Sequence, residues 1–426
     1  MTQLEEAKKG KITSQMKQIA TDESLTAESI KKGVASGKIV IPSNPLHQPK
    51  PVGLGKGLRV KVNANIGTSR EHCNLEEEIE KAKISLTSGA HAVMDLSTGG
   101  NLDEIREKLI EVVTVPFGTV PIYQTAIEAV SDHGAIVDMT EDDMFNTFER
   151  QAKQGVDFAV VHVGVNRVSV ERLKKQHRLI PMVSRGGAFH MAWILHHQKE
   201  NPLYENFDYL LDIAKEYDVT LSLGDGMRSG ALYDSNDRAK FQELLIIGEL
   251  VEQAREKGVQ TMVEGPGHMP LNDIQSNIEV MKKVTNDAPY FVLGPLVTDI
   301  APGYDHFVGG IGGALAGYFG ADFLCYLTPA EHLCLPDVND VKQGVIATRI
   351  AAHAADLARG IDRKIDKNFS KARENLDWET MFNLCIDKEK AKQYRKKRTP
   401  LEDTKSCSMC GNLCAIEIVE KYLKNQ

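Results

Sequence analysis

The chain of 426 residues has no uninterrupted apolar run long enough to span a bilayer. Its first residues, MTQLEEAKKGKIT, are charged and lack the apolar stretch of a secretory signal. Both absences predict a soluble, cytoplasmic protein with no membrane partner. No long basic run occurs and the net charge is −8, which argues against nucleic acid as a partner. Cysteine is sparse, and Cys73, Cys325, Cys334 and Cys385 have neither the density nor the spacing of a disulfide framework. They read as buried or incidental thiols. A Gly-rich phosphate loop is missing after the first predicted strand. Gly53-Leu-Gly55-Lys-Gly57 precedes that strand, so an open dinucleotide-binding sheet is disfavoured.

The densest chemistry lies near the C-terminus, in Cys407-Ser-Met-Cys410-Gly-Asn-Leu-Cys414. Three of the seven cysteines fall here within eight residues. Thiolates this close, on a loop with a glycine, can converge on one metal. Four thiolates would close a structural zinc site or complete an ordinary iron–sulfur cluster. Three leave a corner open, which suits binding a substrate or cofactor. The competing reading is a zinc knuckle with a histidine as fourth ligand. No histidine follows His353, so that ligand would come from far away in sequence or from another chain.

The hydrophobic fraction of 42% supports a sizeable core. Residues 1–58 read as a small N-terminal region, with helical signals at Leu4–Ala20 and Ala27–Ser36. The Pro-rich connector Ile41–Gly53 ends any helix before it. From Lys61, short β-branched runs alternate with amphipathic stretches. The runs are Lys61–Gly67, Ala92–Ser97, Pro116–Tyr123, Phe158–Val165, Ile180–Arg185, Val219–Asp225, Gln260–Glu264, Tyr290–Leu296 and Asp322–Leu327. Helical patterns between them include Leu75–Ser88, Glu141–Gly155, Asn206–Tyr217 and Arg238–Lys257. This alternation predicts βαβ units and an α/β fold, a (β/α)8 TIM-type barrel over 59–360. One of the nine runs is then an extra strand or an extended loop. Residues 361–426 form a charged C-terminal helical or linker region that delivers the cysteines to the barrel mouth. That tail could fold over its own barrel or a neighbour's, so a dimer is expected.

Polar residues end nearly every strand, where barrel enzymes assemble their sites. They are Asn65, Met94 with Asp95, Tyr123, His162, Ser184 with Arg185, Asp225 with Arg228, Glu264 with His268, and Glu331 with His332. Ser184-Arg185-Gly186-Gly187 and Asp225-Gly226-Met227-Arg228 set arginine beside glycine. Guanidinium forks and exposed backbone N–H groups suit an anion, and a phosphate-bearing substrate follows. The bland alternative is surface turns with incidental arginines. His268 and His332 could hold a divalent ion such as zinc, or simply be hydrogen-bonded in the mouth. His190, His196 and His197 read as surface or core histidines. A different class stays open: a hydrolase or aldolase-type barrel with a catalytic metal on its histidines and a zinc clip in its tail.

The ordered motifs NANIG, VMDLSTG, GTVPIYQ, VSRGG, KENPLY, SLGDG, VEGPGH, VLGPLVTDIAPGYDH, TPAEHL and CSMCG resemble those of the thiamine pyrimidine synthase family, an unusual branch of radical S-adenosylmethionine enzymes. The resemblance runs from about residue 1 to Cys414. It implies a lyase-type rearrangement of 5-aminoimidazole ribotide, a [4Fe-4S] cluster with S-adenosylmethionine on its open iron, and a second divalent metal, zinc or another. It implies a homodimer and an external electron donor. By this resemblance the substrate positions fall on Asn65, Met94, Tyr123, His162, Ser184, Arg185, Gly186, Asp225, Gly226, Met227, Arg228 and Glu264. Zinc falls on His268 and His332, and the cluster on Cys407, Cys410 and Cys414. Arg185 and Arg228 would hold phosphate, and Glu264 and His162 are candidates for catalytic proton transfers.

Departures from the family pattern are Gly224–Gly230 (GDGMRSG), Phe291 where a substrate-contacting tyrosine is expected, with Tyr290 displaced by one place, Phe307-Val-Gly-Gly310, a shortened segment after Gly360, and a last cysteine gap of three. A lost phenol and added glycines would reshape the pocket. They tilt the expected product to 5-hydroxybenzimidazole, for the lower ligand of cobalamin. The alternative is 4-amino-5-hydroxymethyl-2-methylpyrimidine phosphate, for thiamine.

Overall fold

The computed structural model describes residues 1–399 and 405–423; part of the expected C-terminal region, 400–404 and 424–426, lies outside them. The chain divides into two compact units, Met1–Asp356 and the remainder from Leu357. Among the described residues no helix is long and apolar enough to cross a membrane.

In the first unit, β1 (Ile39–Val40) and β2 (Leu54–Gly55) form a small antiparallel ribbon. The eight following strands are β3 (Lys61–Ile66), β4 (Ala92–Asp95), β5 (Phe117–Thr119), β6 (Phe158–Val161), β7 (Thr220–Leu223), β8 (Thr261–Glu264), β9 (Tyr290–Leu293) and β10 (Phe323–Cys325). They are parallel, and β10 pairs with β3 to close the barrel. Their residues are buried on both faces, as expected where helices cover the outside and side chains fill the inside. Phe158 and Phe323 meet edge to face, with centroids 6.3 Å apart. Gly118 on β5 makes room for them: a Cβ there would lie 2.3 Å from the Phe158 ring.

Eight of the nine runs of the sequence pattern form barrel strands or lead into them. Ile180–Arg185 is the extra one. It is a loop that leads into the helix Arg185–His197. Pro181 removes a ladder donor, and Leu179, Ile180 and Val183 are exposed. The Asp234 carboxylate accepts the N–H groups of Leu179 and Ile180, each at 3.0 Å, in place of a neighbouring strand. The predicted helix Leu4–Ala20 is two, Gln3–Lys8 and Ser14–Asp22, because Gly10 takes a left-handed φ of +82° and Thr13 caps the second.

The N-terminal region has its own small core of Met16, Ile19, Ile30, Val34, Ile41 and Leu58. It plugs the N-terminal end of the barrel. Thr2 Oγ1 donates to the Gly258 carbonyl at 2.6 Å, and Ile41 N–H donates to Gln260 at 2.8 Å. Buried Asp157, just before β6, accepts from the N–H groups of Asn44 and Phe117 and from His47. With that end covered, the polar strand ends gather at the opposite, C-terminal end of the barrel.

The second unit holds the helices Arg363–Glu374, Trp378–Leu384, Lys388–Lys397 and Ala415–Leu423. The charged stretch expected as linker or peripheral helix is thus largely helical. Lys and Glu are good helix formers, and Asp377 and Asp387 cap two of the helices.

Candidate active site

A cavity of about 80 Å³ sits at the C-terminal ends of the strands, lined by Asn65 of β3, Met94 of β4, Tyr123, His162, Arg228, Glu264 of β8, Phe291 of β9 and Cys325 of β10. A wider vestibule of about 770 Å³ shares Asn65, Tyr123 and Arg228 with it and adds Arg185, Glu331 and His332. Residues from almost every strand therefore meet at one mouth. Cys325, read from sequence as an incidental thiol, is buried but lines the cavity; Asn65 Nδ2 reaches its sulfur at 3.0 Å. Burial pushes this thiol up to about 12, so it stays protonated.

The two expected proton-transfer residues are tuned apart. His162 is buried, and burial holds its pKa well below the ordinary value, with His190 and Arg228 acting in the same direction. The imidazole is neutral at pH 7. Its ring lies between Gly186 and Gly224; a Cβ on Gly186 would come within 2.3 Å of it. Asn201, from the KENPLY motif, fixes the backbone here by donating to the carbonyls of His162 and Val165 at 3.1 and 2.8 Å. Glu264 is pushed up to about 7, mainly by burial and further by Asp225, against the pull of Arg228. It can exchange a proton near neutrality. Tyr123 also has a raised pKa from burial and keeps its proton, while the Arg185 guanidinium lies 5.0 Å above its ring.

His190 lies in the interior, 6.2 Å from His162, and burial drives it down to about 4. His196 and His197 are on the exposed end of the same helix.

Ser184 caps the helix Arg185–His197, its Oγ accepting from Gly187 N–H at 3.1 Å. Arg185 and Arg228 have no carboxylate partner among the described residues, in a chain of net charge −8. Two guanidiniums without a direct ion pair at one mouth suit an anion. The second expected anion turn differs in one respect. The N–H groups of Gly226 and Met227 are not exposed: the Glu243 carboxylate accepts both, at 2.9 and 2.8 Å. Met227 is fully buried, and Asp225 is paired with Lys240 at 2.8 Å. Only the Arg228 guanidinium of this turn faces the cavity and the vestibule. Glu243 and Lys240 carry no sequence signal of their own, because they sit in the first two turns of the amphipathic helix Arg238–Lys257 and read as ordinary polar positions.

His268 and His332 are brought together, ring centroids 5.4 Å apart. His268 Nδ1 lies 2.7 Å from Asp299 and His332 Nδ1 lies 2.9 Å from Asp305. An ionised carboxylate only accepts, so each Nδ1 carries the proton and each Nε2 keeps its lone pair. That tautomer fits a divalent ion. Asp299 and Asp305 lie within the VLGPLVTDIAPGYDH motif, the signal that could have marked them. Among the described residues no group of three or more His, Cys, Asp and Glu side chains is gathered to hold an ion.

Cys407, Cys410 and Cys414 lie in the second unit. Cys410 and Gly411 N–H both donate to the Cys407 carbonyl, at 3.2 and 2.9 Å, which curls the loop into a turn. Trp378 Nε1 donates to the Lys405 carbonyl at 2.7 Å and anchors the approach to that turn. The amides of Cys410 and Met409 lower the Cys407 thiol, and the neighbouring Cys407 raises that of Cys410. Backbone N–H groups aimed at a sulfur favour the thiolate that a metal needs. The donor set fits an iron–sulfur cluster with a free corner.

A sealed (β/α)8 barrel with acid–base groups and unpaired arginines at its open end defines an enzyme of the barrel class. The chain belongs to the Radical SAM ThiC family, matching it over residues 2–421, and is a radical S-adenosylmethionine enzyme. It is 56% identical to the phosphomethylpyrimidine synthase of Methanocaldococcus jannaschii over 426 residues, all of both chains. It is 55% identical to that of Desulforamulus reducens, over 99% of this chain and 98% of the relative. The Pyrococcus abyssi protein of the same name is 56% identical over 99% of each. Among solved structures, a dihydropteroate synthase from Coxiella burnetii aligns over 74% of this chain and 99% of its own, at 11% identity and a TM-score of 0.42.

The relatives overturn the expected product. Full-length neighbours at 53–56% identity carry the name phosphomethylpyrimidine synthase, so the reading as a 5-hydroxybenzimidazole synthase of cobalamin biosynthesis is withdrawn. The structure explains why the departures misled. Phe307 is 59% exposed on the helix Asp305–Phe319. Gly309, on the same helix, makes room for Leu327, whose Cδ1 would lie 2.5 Å from an added Cβ. Both serve the outer layer and do not enlarge the cavity. Tyr290 is buried, with its hydroxyl donating to Asn277 at 2.8 Å on the helix side of β9.

Proposed function

We propose that this chain converts 5-aminoimidazole ribotide to 4-amino-5-hydroxymethyl-2-methylpyrimidine phosphate, the pyrimidine precursor of thiamine. The observation that carries the proposal is the end-to-end similarity to phosphomethylpyrimidine synthases. The mouth supports it, because a ribotide brings one phosphate to two unpaired guanidiniums.

A [4Fe-4S] cluster on Cys407, Cys410 and Cys414, with S-adenosylmethionine, supplies the one-electron chemistry when bound. The chain's own residues do the rest. Arg185 and Arg228 bind the phosphate and orient the nucleotide. Asn65, Met94, Phe291 and Tyr123 enclose its body and limit water. Ser184 and Gly186 shape the rim, and Gly186 leaves the space that the His162 ring needs. Neutral His162 accepts a hydrogen bond or a proton, and Glu264, titrating near 7, exchanges one at its carboxyl. His268 and His332 would hold the second divalent metal, zinc or another, through their Nε2 atoms. The same reading includes a homodimer and an external electron donor. It takes residues 1–58 as the plug, 59–360 as the catalytic barrel and 361–426 as the cluster region.

The test is anaerobic incubation with 5-aminoimidazole ribotide, S-adenosylmethionine and a reductant, with products identified by mass spectrometry. Pyrimidine phosphate is the expected product; its absence sinks the proposal.

A further inference from the structure

The turn Asp225–Arg228 is held from below at four points. Glu243 accepts the N–H groups of Gly226 and Met227, at 2.9 and 2.8 Å, one on each carboxylate oxygen. Lys240 pairs with Asp225 at 2.8 Å, both side chains 4% exposed. Arg178, itself paired with Asp237, donates to the Met227 carbonyl at 2.7 Å. Lys240 and Glu243 stand three residues apart on the helix Arg238–Lys257 and so share one face. Asp237, the cap of that helix, ties the same assembly to its first turn. Gly226 leaves no slack, since a Cβ there would fall 2.1 Å from Val165.

We propose that Glu243 and Lys240 are positioning residues for substrate binding, acting through Arg228: Glu243 holds residues 226 and 227 directly and Lys240 holds Asp225 at the start of the same turn. The proposal deepens the ribotide reading and rests on it for the identity of the ligand. Glu243 is 1% exposed with both oxygens engaged, so it cannot itself reach a substrate. What it does is consume the two backbone donors that a glycine turn would otherwise offer an anion. The turn then meets its ligand through side chains alone, and the direction of the Arg228 guanidinium is set by how firmly residues 226 and 227 are tied. Lys240 does the corresponding work for buried Asp225, whose carboxyl also touches that of Glu243 and, with burial, pushes the Glu243 acid well above its ordinary range.

Glu243→Gln separates this role from general support of the fold. The amide has the same shape, but its NH2 group faces an N–H donor, so one of the two ties is lost. In the cluster-loaded, reduced protein the KM for 5-aminoimidazole ribotide is expected to rise about ten- to a hundred-fold, with kcat changed by less than about threefold. Amide exchange at Gly226 and Met227, measured without ribotide, is expected to accelerate at least about tenfold. Lys240→Met is the second variant, used also if the first does not fold. It is expected to raise KM while leaving exchange at those two amides slow, because Glu243 still holds them. A folded Glu243→Gln protein with unchanged KM, or one that loses kcat alone, overturns the proposal. If the unsubstituted chain does not turn over the ribotide, the substrate reading fails instead. The exchange comparison then still decides whether Glu243 holds the turn, and unchanged exchange in the variant would reject that part too.

Discussion

The imidazoles of His268 and His332 face each other at 5.4 Å, and each directs its Nδ1 to a different aspartate, Asp299 or Asp305. His268 follows β8 and His332 follows β10, the two strands that flank β9 in the barrel. Paired this way, both rings present a lone pair at Nε2, the form in which histidine binds a divalent cation.

Removal of either ring should therefore abolish binding of the second metal and leave the cluster untouched. His268→Ala protein, loaded with zinc and dialysed, is expected to lose its zinc while retaining the iron content of the unsubstituted chain. Asp305→Asn should weaken zinc about ten- to a hundred-fold, since the amide no longer enforces the ring tautomer. Elemental analysis and chelator competition check both. Zinc retained in His268→Ala would place the metal elsewhere.

Glu264 makes a prediction about pH. Its carboxyl is pushed up to about 7 from 4.5. Below about pH 4.5 the folded and unfolded chains both carry the protonated acid, and the residue costs nothing. As pH rises through the window from 4.5 to 7, the unfolded chain ionises first, and the folded state loses stability relative to it. Above 7 the penalty is complete. With a discount for partial exposure it amounts to about 2 kcal/mol. Glu264→Gln, studied without metals, should be more stable than the parent at pH 8 and no different at pH 4. The same variant should lose at least about a hundred-fold in kcat/KM, and the parent's pH profile should show an ionisation near 7. Equal melting temperatures at pH 8 would refute the shifted carboxyl.

Much of this was legible in the chain because strand ends in a barrel converge by construction. Asn65, His162 and Glu264 could be placed at the mouth from periodicity alone. The run Ile180–Arg185 reads as a strand because Ile180 and Val183 look like core, yet they are exposed on a loop held by Asp234. The supporting residues were invisible for a different reason. Glu243 and Lys240 act from the first two turns of a helix, and nothing local to them shows that a glycine turn lies above. The product expectation failed because Phe307 and the neighbouring glycines were read as pocket residues. They belong to the outer packing of the helix Asp305–Phe319.

The cysteine loop carries a prediction of its own. Cys407 has its thiol pKa lowered by the amides of Met409 and Cys410, and its neighbour Cys410 is raised in turn. The backbone amides favour the thiolate at Cys407, and a thiolate there disfavours a second negative charge at Cys410, the repulsion that a bound metal cation relieves. Cys410→Ala, reconstituted anaerobically, is expected to lose the visible absorbance of the cluster, most of its iron, and all turnover. The melting transition of the barrel should be unmoved. Retained turnover would remove the radical chemistry from this loop.

Phe291 tests the corrected product most directly. Its ring stacks on Phe323 with centroids 4.3 Å apart and lines the cavity, while Tyr290 turns its hydroxyl away to Asn277. If the missing phenol redirected the reaction, restoring it would change what is made. The outer-layer position of the other departures argues that it does not. Phe291→Tyr is therefore expected to yield the same pyrimidine phosphate as the parent. Its stability should fall by about 1–2 kcal/mol, because a hydroxyl is placed in a buried aromatic stack. Mass spectrometry of both reactions decides the matter. A variant that switches product would show that this ring selects the outcome.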